Sequence, residues 1–436
     1  MIKINISEER LKVIKDRHYN FIKEIVSKRY DKIKEKVIPK HKKCLELFCS
    51  KYINNETMLK KLIIGEPKEL KEIIDDVNNN YKNILKYTDE LNMMYTEFSS
   101  YNYYYNTIKA IKAIEKEQFK GKSVRKIFYK RGGNTLKSDF VYSDNIFSLN
   151  SIISKMIIEL ESMESRGMNE VEFKIILKKY KNIIFEKIQS IYNSYSNYKI
   201  LDKDNILWGP YPLLMELGLT VCPYCNRNYI HTYYSPNNGK VRADFDHFLP
   251  KSKYPYLCVS FYNLIPSCSV CNSSLKGEDD FSIDTHINPY INGFEDEYRF
   301  TIKPVKDHKG DTDISFLLGD SNEFDIDIVC RCNDTKLAGK IRNNIDAFKI
   351  KELYNFHKDY ITELIKKSII YNPSRIDELF KLGDLKGDKL FSSKEEVINM
   401  IVSNYINKND FGKRTLSKLT RDIAEELKLL ESNFSV

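Results

Sequence analysis

From Ser7 onward the apolar positions return every three or four residues: Leu11, Ile14, His18, Phe21, Ile22, Ile25 and Ile33 lie on one helical stripe that runs until Pro39. Ser7 suits the cap of that helix, because its hydroxyl can accept from a free amide of the first turn. The same spacing predicts helices over 57–64, 68–92, 150–166 and 169–192, interrupted at Pro67, at Gly132 and Gly133, and at Gly167. In the middle of the chain the period changes to two. Val241, Ala243 and Phe245 alternate after the turn signal of Asn237, Asn238 and Gly239, and a second apolar, aromatic run spans 257–265. A short helix can start after Ser269 and end near Gly277. Alternation returns at 298–305 and 324–330, which predicts a small antiparallel sheet, and helical spacing resumes at 341–359, 361–371, 394–406 and 416–430. The pattern implies an α+β fold, mostly α, with helical N- and C-terminal regions around a central strand–strand–helix unit and a small adjacent sheet. The expected divisions are 1–204, 205–295 and 296–436.

Length and composition agree with two or three domains, since 436 residues with 42% hydrophobic content suffice for buried cores. No run approaches the roughly 18 apolar residues of a membrane span, and the N-terminus lacks the apolar centre of a signal peptide. A cytoplasmic protein without membrane association is the expectation. Most of the net charge of +9 sits between Lys116 and Lys137, where eight basic residues face one acid. Arg125, Lys126, Lys130 and Arg131 lie there with Phe128 and Tyr129 between them, downstream of Tyr101, Tyr103, Tyr104 and Tyr105. Such a segment can follow a phosphate backbone and stack bases, although the solvated face of a Lys-rich protein accounts for the same charges.

Cysteine spacing adds chemistry. Cys222 and Cys225 form one Cys-x-x-Cys turn and Cys268 and Cys271 another. Each such turn presents two thiolates from one bend, so two turns fill the tetrahedron of a structural zinc. Between the pairs lie 42 residues, more than the usual 15–20, so a folded insert is expected there. The insert carries Asp246, His247 and Asn263, and Asn272 follows the last cysteine. Nine cysteines, an odd number, suit a reducing compartment better than a disulfide framework.

Asp246-His247, then Asn263, then Cys271-Asn272 followed by Lys276 and Gly277, in that order, resemble the HNH endonucleases of the ββα-metal (His-Me finger) superfamily, in the subgroup pinned by zinc through two Cys-x-x-Cys pairs. The resemblance covers about 205–300. It implies that the central unit is a zinc-stabilised ββα-metal nuclease unit. His247 would be the general base, Asp246 and Asn272 would hold a catalytic Mg²⁺ or Mn²⁺, and Asn263 would steady the loop that orients His247. Lys251 and Lys276, with the basic segment, are the expected nucleic-acid contacts. Units of this kind occur in bacterial restriction and antiphage systems, including the nuclease subunit of Septu-like pairs whose partner is an ATPase.

The chemistry asks for the same parts without the family. Phosphodiester hydrolysis needs a base for water and a hard cation against the phosphate, and a histidine beside carboxylate and carboxamide oxygens supplies both. One tension is visible, since neighbours on a regular strand point to opposite faces, so Asp246 and His247 converge only where the strand ends or bends. The reading is therefore a metal-dependent endonuclease acting on nucleic acid, double-stranded DNA before RNA. The alternative is a zinc-stabilised nucleic-acid or partner-binding protein without catalysis. No Gly-x-x-x-x-Gly-Lys-Ser/Thr loop is present, so nucleotide hydrolysis would fall to an ATPase partner, and the stripe from Leu11 to Ile33 offers a surface for that partner or a second copy. His286 is a conceivable extra ligand, with a structural role preferred.

Overall fold

The computed structural model describes residues 1–99, 101–116, 123–132, 144–167, 169–195, 208–235, 239–306, 310–383 and 388–430. The first stripe becomes helix α1 (Glu8–Lys36), whose Ser7 cap accepts from the Arg10 amide at 3.4 Å and whose buried side includes Ile14, His18, Phe21, Ile22, Ile25 and Ile33. Pro39 opens α2 (Pro39–Phe48), since proline lacks only the amide that a first turn leaves unpaired. After a π-type turn (Cys49–Ile53) comes α3 (Glu56–Ile64), and Pro67 then opens α4 (Pro67–Asn80).

The helix expected over 68–92 is not continuous. Helix α4 stops after Asn78, Asn79 and Asn80, and Tyr81 leaves helical geometry with φ of −129°. Asparagine side chains compete for backbone partners, which makes a run of three a weak place in a helix. A 3₁₀ turn (Lys82–Tyr87) follows, and α5 (Thr88–Ser99) packs on α1 and on the turn Pro255–Leu257.

Helices α6 (Tyr101–Lys116), α7 (Val124–Gly132), α8 (Asp144–Glu164) and α9 (Glu170–Tyr195) share a second hydrophobic core that includes Ile111, Phe128, Met156 and Ile184. The first core is larger. It holds α1 to α5, α10 (Pro210–Leu217), the central unit and the C-terminal region together, from Met1 to Leu430. Residues of all three expected divisions therefore meet in one core.

Among the described residues the strands form three two-stranded antiparallel pairs. Strand β1 (Tyr233–Ser235) pairs with β2 (Gly239–Val241), and β3 (Asp244–His247) pairs with β4 (Leu264–Ser267) in a register that sets His247 opposite Leu264. The expected strand at 257–265 is thus shifted and shorter, because carbonyls before it serve side chains instead of a ladder: Leu257, Cys258 and Val259 accept from Asn263, His247 and His18. The helix after Ser269 is a π-type turn, Val270–Lys276, with the Gly277 amide donating to Asn272 O at 3.1 Å. Strand, strand and helical turn follow in the expected order.

Strands β5 (Tyr298–Pro304) and β6 (Phe324–Cys330) pair along their whole length as the alternation predicted. Helices α11 (Thr335–Ala347), α12 (Ile350–Tyr354), α13 (Lys358–Ile370), α14 (Pro373–Phe380), α15 (Lys394–Val402) and α16 (Ser417–Glu426) complete the chain. The fold is mostly α with small antiparallel pairs. Among the described residues no helix is long and apolar enough to cross a membrane.

Candidate active site and metal centre

The first thiol turn is shaped by its backbone: the Asn226 amide donates to Cys222 O at 2.8 Å, and Asn226 itself takes a left-handed φ of 49°, which asparagine tolerates. Tyr354 of the C-terminal region then donates to Cys225 O at 2.7 Å and Asn226 Nδ2 to Phe411 O at 3.1 Å, so the C-terminal region holds the turn. The second turn begins where β4 ends. Together they bring Cys222, Cys225, Cys268 and Cys271 to within 4.8 Å of one another, all four buried. A tetrahedral zinc with bonds of about 2.3 Å asks for sulfurs roughly 3.8 Å apart, so the group fits a structural zinc with every position filled by protein.

The surrounding donors suit thiolates. Asn228 Nδ2 donates to Cys268 Sγ at 3.2 Å, the Arg227 amide to Cys225 Sγ at 3.4 Å and the Cys271 amide to Cys268 Sγ at 3.5 Å. These four cysteines could hold zinc.

Beside this centre is a cleft of about 260 Å³ whose walls include Asp246, His247, Lys251, Asn272 and Lys276, along with Tyr95, Arg242 and Asp244. Strand β3 ends at His247, and that lets two neighbouring side chains reach one cleft. His247 is 9% exposed, and its Nε2 lies 3.0 Å from Cys258 O. A carbonyl only accepts, so Nε2 carries the proton and Nδ1 is the basic nitrogen. Burial, with Lys251 adding, pushes the His247 pKa down to about 3, so the ring is neutral near pH 7.

Asp246 is 2% exposed and doubly bonded: Tyr224 donates to Oδ2 at 2.6 Å and Lys276 Nζ to Oδ1 at 2.9 Å. Tyr224 belongs to the first thiol turn and Lys276 to the turn after the second, so both ends of the cysteine frame meet on this carboxylate. Burial raises the pKa of Asp246, with Lys276 and Tyr224 opposing. Each carboxylate oxygen keeps a further lone pair, and Asn272 stands half-buried on the same wall. That donor set fits a hard cation which keeps water and substrate oxygens in its other positions, but the cation would share Asp246 with an ammonium already there.

Part of the chain is similar to Septu protein PtuB of Bacillus thuringiensis. The two are 32% identical over 125 residues, which are 27% of this chain and 45% of that one. Over 113 residues the chain is also 30% identical to Protein ea31 of Escherichia phage lambda, covering 25% of this chain and 33% of the phage protein. The matches span less than half the length of these relatives. No protein-family model matches the chain, and no solved structure does.

Like the four cysteines, Asn263 lies within the central unit. Its Oδ1 accepts from the Leu249 amide at 2.6 Å, while Nδ2 donates to Leu257 O at 2.9 Å and Leu249 O at 3.2 Å, so one side chain ties the two ends of the loop after β3. Lys251 is exposed at the cleft. Lys276 differs from the expectation of a phosphate contact: it is buried, because its ammonium is spent on Asp246 and on His247 O at 2.8 Å. Arg125 and Lys126 are exposed on α7, Arg125 paired with Glu161 at 3.3 Å, and neither lines the cleft. The side chains of Lys130 and Arg131, and residues 117–122 and 133–143 of the basic region, lie outside the described residues. His286 stacks on Phe281 at 3.6 Å and bonds Thr285.

Three residues at the site were not anticipated: Tyr224, which bonds Asp246 from behind the cleft, and the wall residues Arg242 and Tyr95. Tyr224 was visible inside the Cys222–Cys225 turn, and Arg242 stood in the strand run before Asp246. Tyr95 comes from α5, and nothing in its local sequence connects it to the cleft; its ring meets that of His247 edge to face, with centroids 4.5 Å apart.

Proposed function

We propose that the chain is a metal-dependent endonuclease of the HNH kind that hydrolyses phosphodiester bonds in nucleic acid, DNA before RNA, and serves in defence against phage. The observation that carries the reading is the meeting of Asp246, His247, Lys251 and Asn272 in one cleft on a strand–strand–helix unit framed by four cysteines. Similarity to a Septu protein supports the defence setting and a partner subunit, which the resemblance to Septu-like pairs implies is an ATPase.

In this reading His247 Nδ1 accepts a proton from water while Nε2 stays bonded to Cys258 O. The new oxygen–phosphorus bond forms as the bond to the 3′ oxygen breaks, leaving 5′-phosphate and 3′-hydroxyl ends. Asp246 and Asn272 would hold Mg²⁺ or Mn²⁺, which when bound supplies positive charge to the phosphate oxygens. Lys251 faces the incoming backbone, and Arg125, Lys126, Lys130 and Arg131 hold nucleic acid farther away. Reversing those four to Glu should then flatten the salt dependence of binding.

One observation favours the second reading, a zinc-stabilised binding protein with an idle cleft: the ammonium of Lys276 already balances Asp246. Incubation of the full chain with supercoiled plasmid and Mg²⁺ or Mn²⁺ separates the two. Nicked product with 5′-phosphate ends is the expected result; DNA retention without nicking, with zinc content intact, would establish the binding protein instead.

A further inference from the structure

An imidazole that must offer one nitrogen to water needs its plane and its tautomer fixed, and misplacement by about 1 Å can cost 100-fold in rate. For His247 one constraint comes from the central unit itself and the other from outside it. The carbonyl of Cys258 fixes the tautomer, and Cys258 Sγ in turn donates to Leu91 O of α5 at 3.5 Å. The side of the ring meets Tyr95, one turn farther along α5, at 4.5 Å and an interplanar angle of 74°. The next two residues are also tied to the N-terminal helices. His18 of α1 donates to Val259 O at 2.8 Å, and Ser260 Oγ donates to Leu62 O of α3 at 2.5 Å. Cys258, Val259 and Ser260 are therefore fastened, one each, to α5, α1 and α3.

We infer that Tyr95 is a positioning residue for His247, and that α5 forms the fixed wall against which the base is set; this rests on the reading of His247 as the general base. The N-terminal helices then complete the active site and are more than a separate recognition module. A change in their packing, imposed by a partner, would reach His247 through Tyr95 and Cys258.

The test compares full-length Tyr95→Leu and Tyr95→Phe proteins in plasmid nicking with Mn²⁺. The leucine variant should lose about 10- to 100-fold in kcat with KM within about twofold, and phenylalanine should bring kcat back to within about threefold of wild type, because the ring and not the hydroxyl sets the imidazole. Wild-type kcat in the leucine variant, a loss confined to KM, or equal damage by phenylalanine would overturn the inference. Long-range ¹H–¹⁵N spectra of His247 give a readout independent of cleavage. The Nε2-protonated tautomer should dominate in wild type and Tyr95→Phe and give way to a mixture in Tyr95→Leu, where the ring can turn out of line with Cys258 O. An unchanged spectrum in Tyr95→Leu rejects the positioning role. Absence of nicking by the wild-type chain counts against the nuclease reading alone, and the spectra then decide this one.

Discussion

Replacing Lys276 by methionine keeps the apolar stem and removes the ammonium from a place with almost no water, where the paired side chains are 1% and 2% exposed. Two acceptors lose their donor: Asp246 Oδ1, 2.9 Å away, and His247 O, 2.8 Å away. Removing one partner of a buried ion pair typically costs about 3–5 kcal/mol, because the remaining charge is left uncompensated. Adding Asp246→Asn removes that charge, so the double variant should keep only the cost of the orphaned carbonyl and a weakened bond to Tyr224, about 1–3 kcal/mol. The single tryptophan, Trp208, is 7% exposed in the main core and reports unfolding in denaturant by its fluorescence. The defect should also depend on pH. Without Lys276, burial is opposed only by the bond from Tyr224, so the native state holds the Asp246 proton more tightly than the unfolded chain does. Stability of the single variant should therefore fall as pH rises above the ordinary carboxylate range of about 4, and the double variant should lack that slope. A Lys276→Met protein within about 1 kcal/mol of wild type, or a double variant no more stable than the single, would refute the reasoning.

Cys268→Ser should abolish tight zinc binding and unfold the central unit, checked by metal analysis and thermal melting; full zinc content with an unchanged melt would contradict it. His18, buried between Val259 O and Trp208, has its pKa pushed down to about 4 by burial, so the stability it contributes is complete above pH 6.5 and lost as pH falls toward 4, about 3 kcal/mol in all. His18→Gln should flatten the acid limb of the stability curve over that window, and an unchanged limb would count against the burial argument. Asn263→Ala removes three hydrogen bonds from one buried side chain and should cost about 2–4 kcal/mol in denaturant unfolding.

The parts of the fold that were legible in the sequence are those whose signal is local. The stripe from Ile14 to Ile33, the alternation at 298–305 and 324–330, and the spacing of the four cysteines each reflect one element's own periodicity or one turn's own geometry. The split of the helix expected over 68–92 was missed because an apolar stripe continues across Asn78 to Asn80 while the backbone does not. Lys276 was misread for a related reason: a lysine after a helical turn normally reaches water, and only the approach of Asp246 from 30 residues away draws it inside. Tyr95 was beyond reach, since its place beside His247 depends on how α5 packs against the turn Pro255–Leu257, a contact no local pattern encodes.

The most direct test of the proposed nuclease is His247→Ala measured beside wild type in Mn²⁺-dependent plasmid nicking, with zinc content and DNA affinity determined on the same preparations. The account predicts nicking by wild type and loss of at least about 100-fold in the variant, with zinc and affinity near wild type, because a general base acts in the transition state and adds little to docking. Nicking by the variant at the wild-type rate would contradict it.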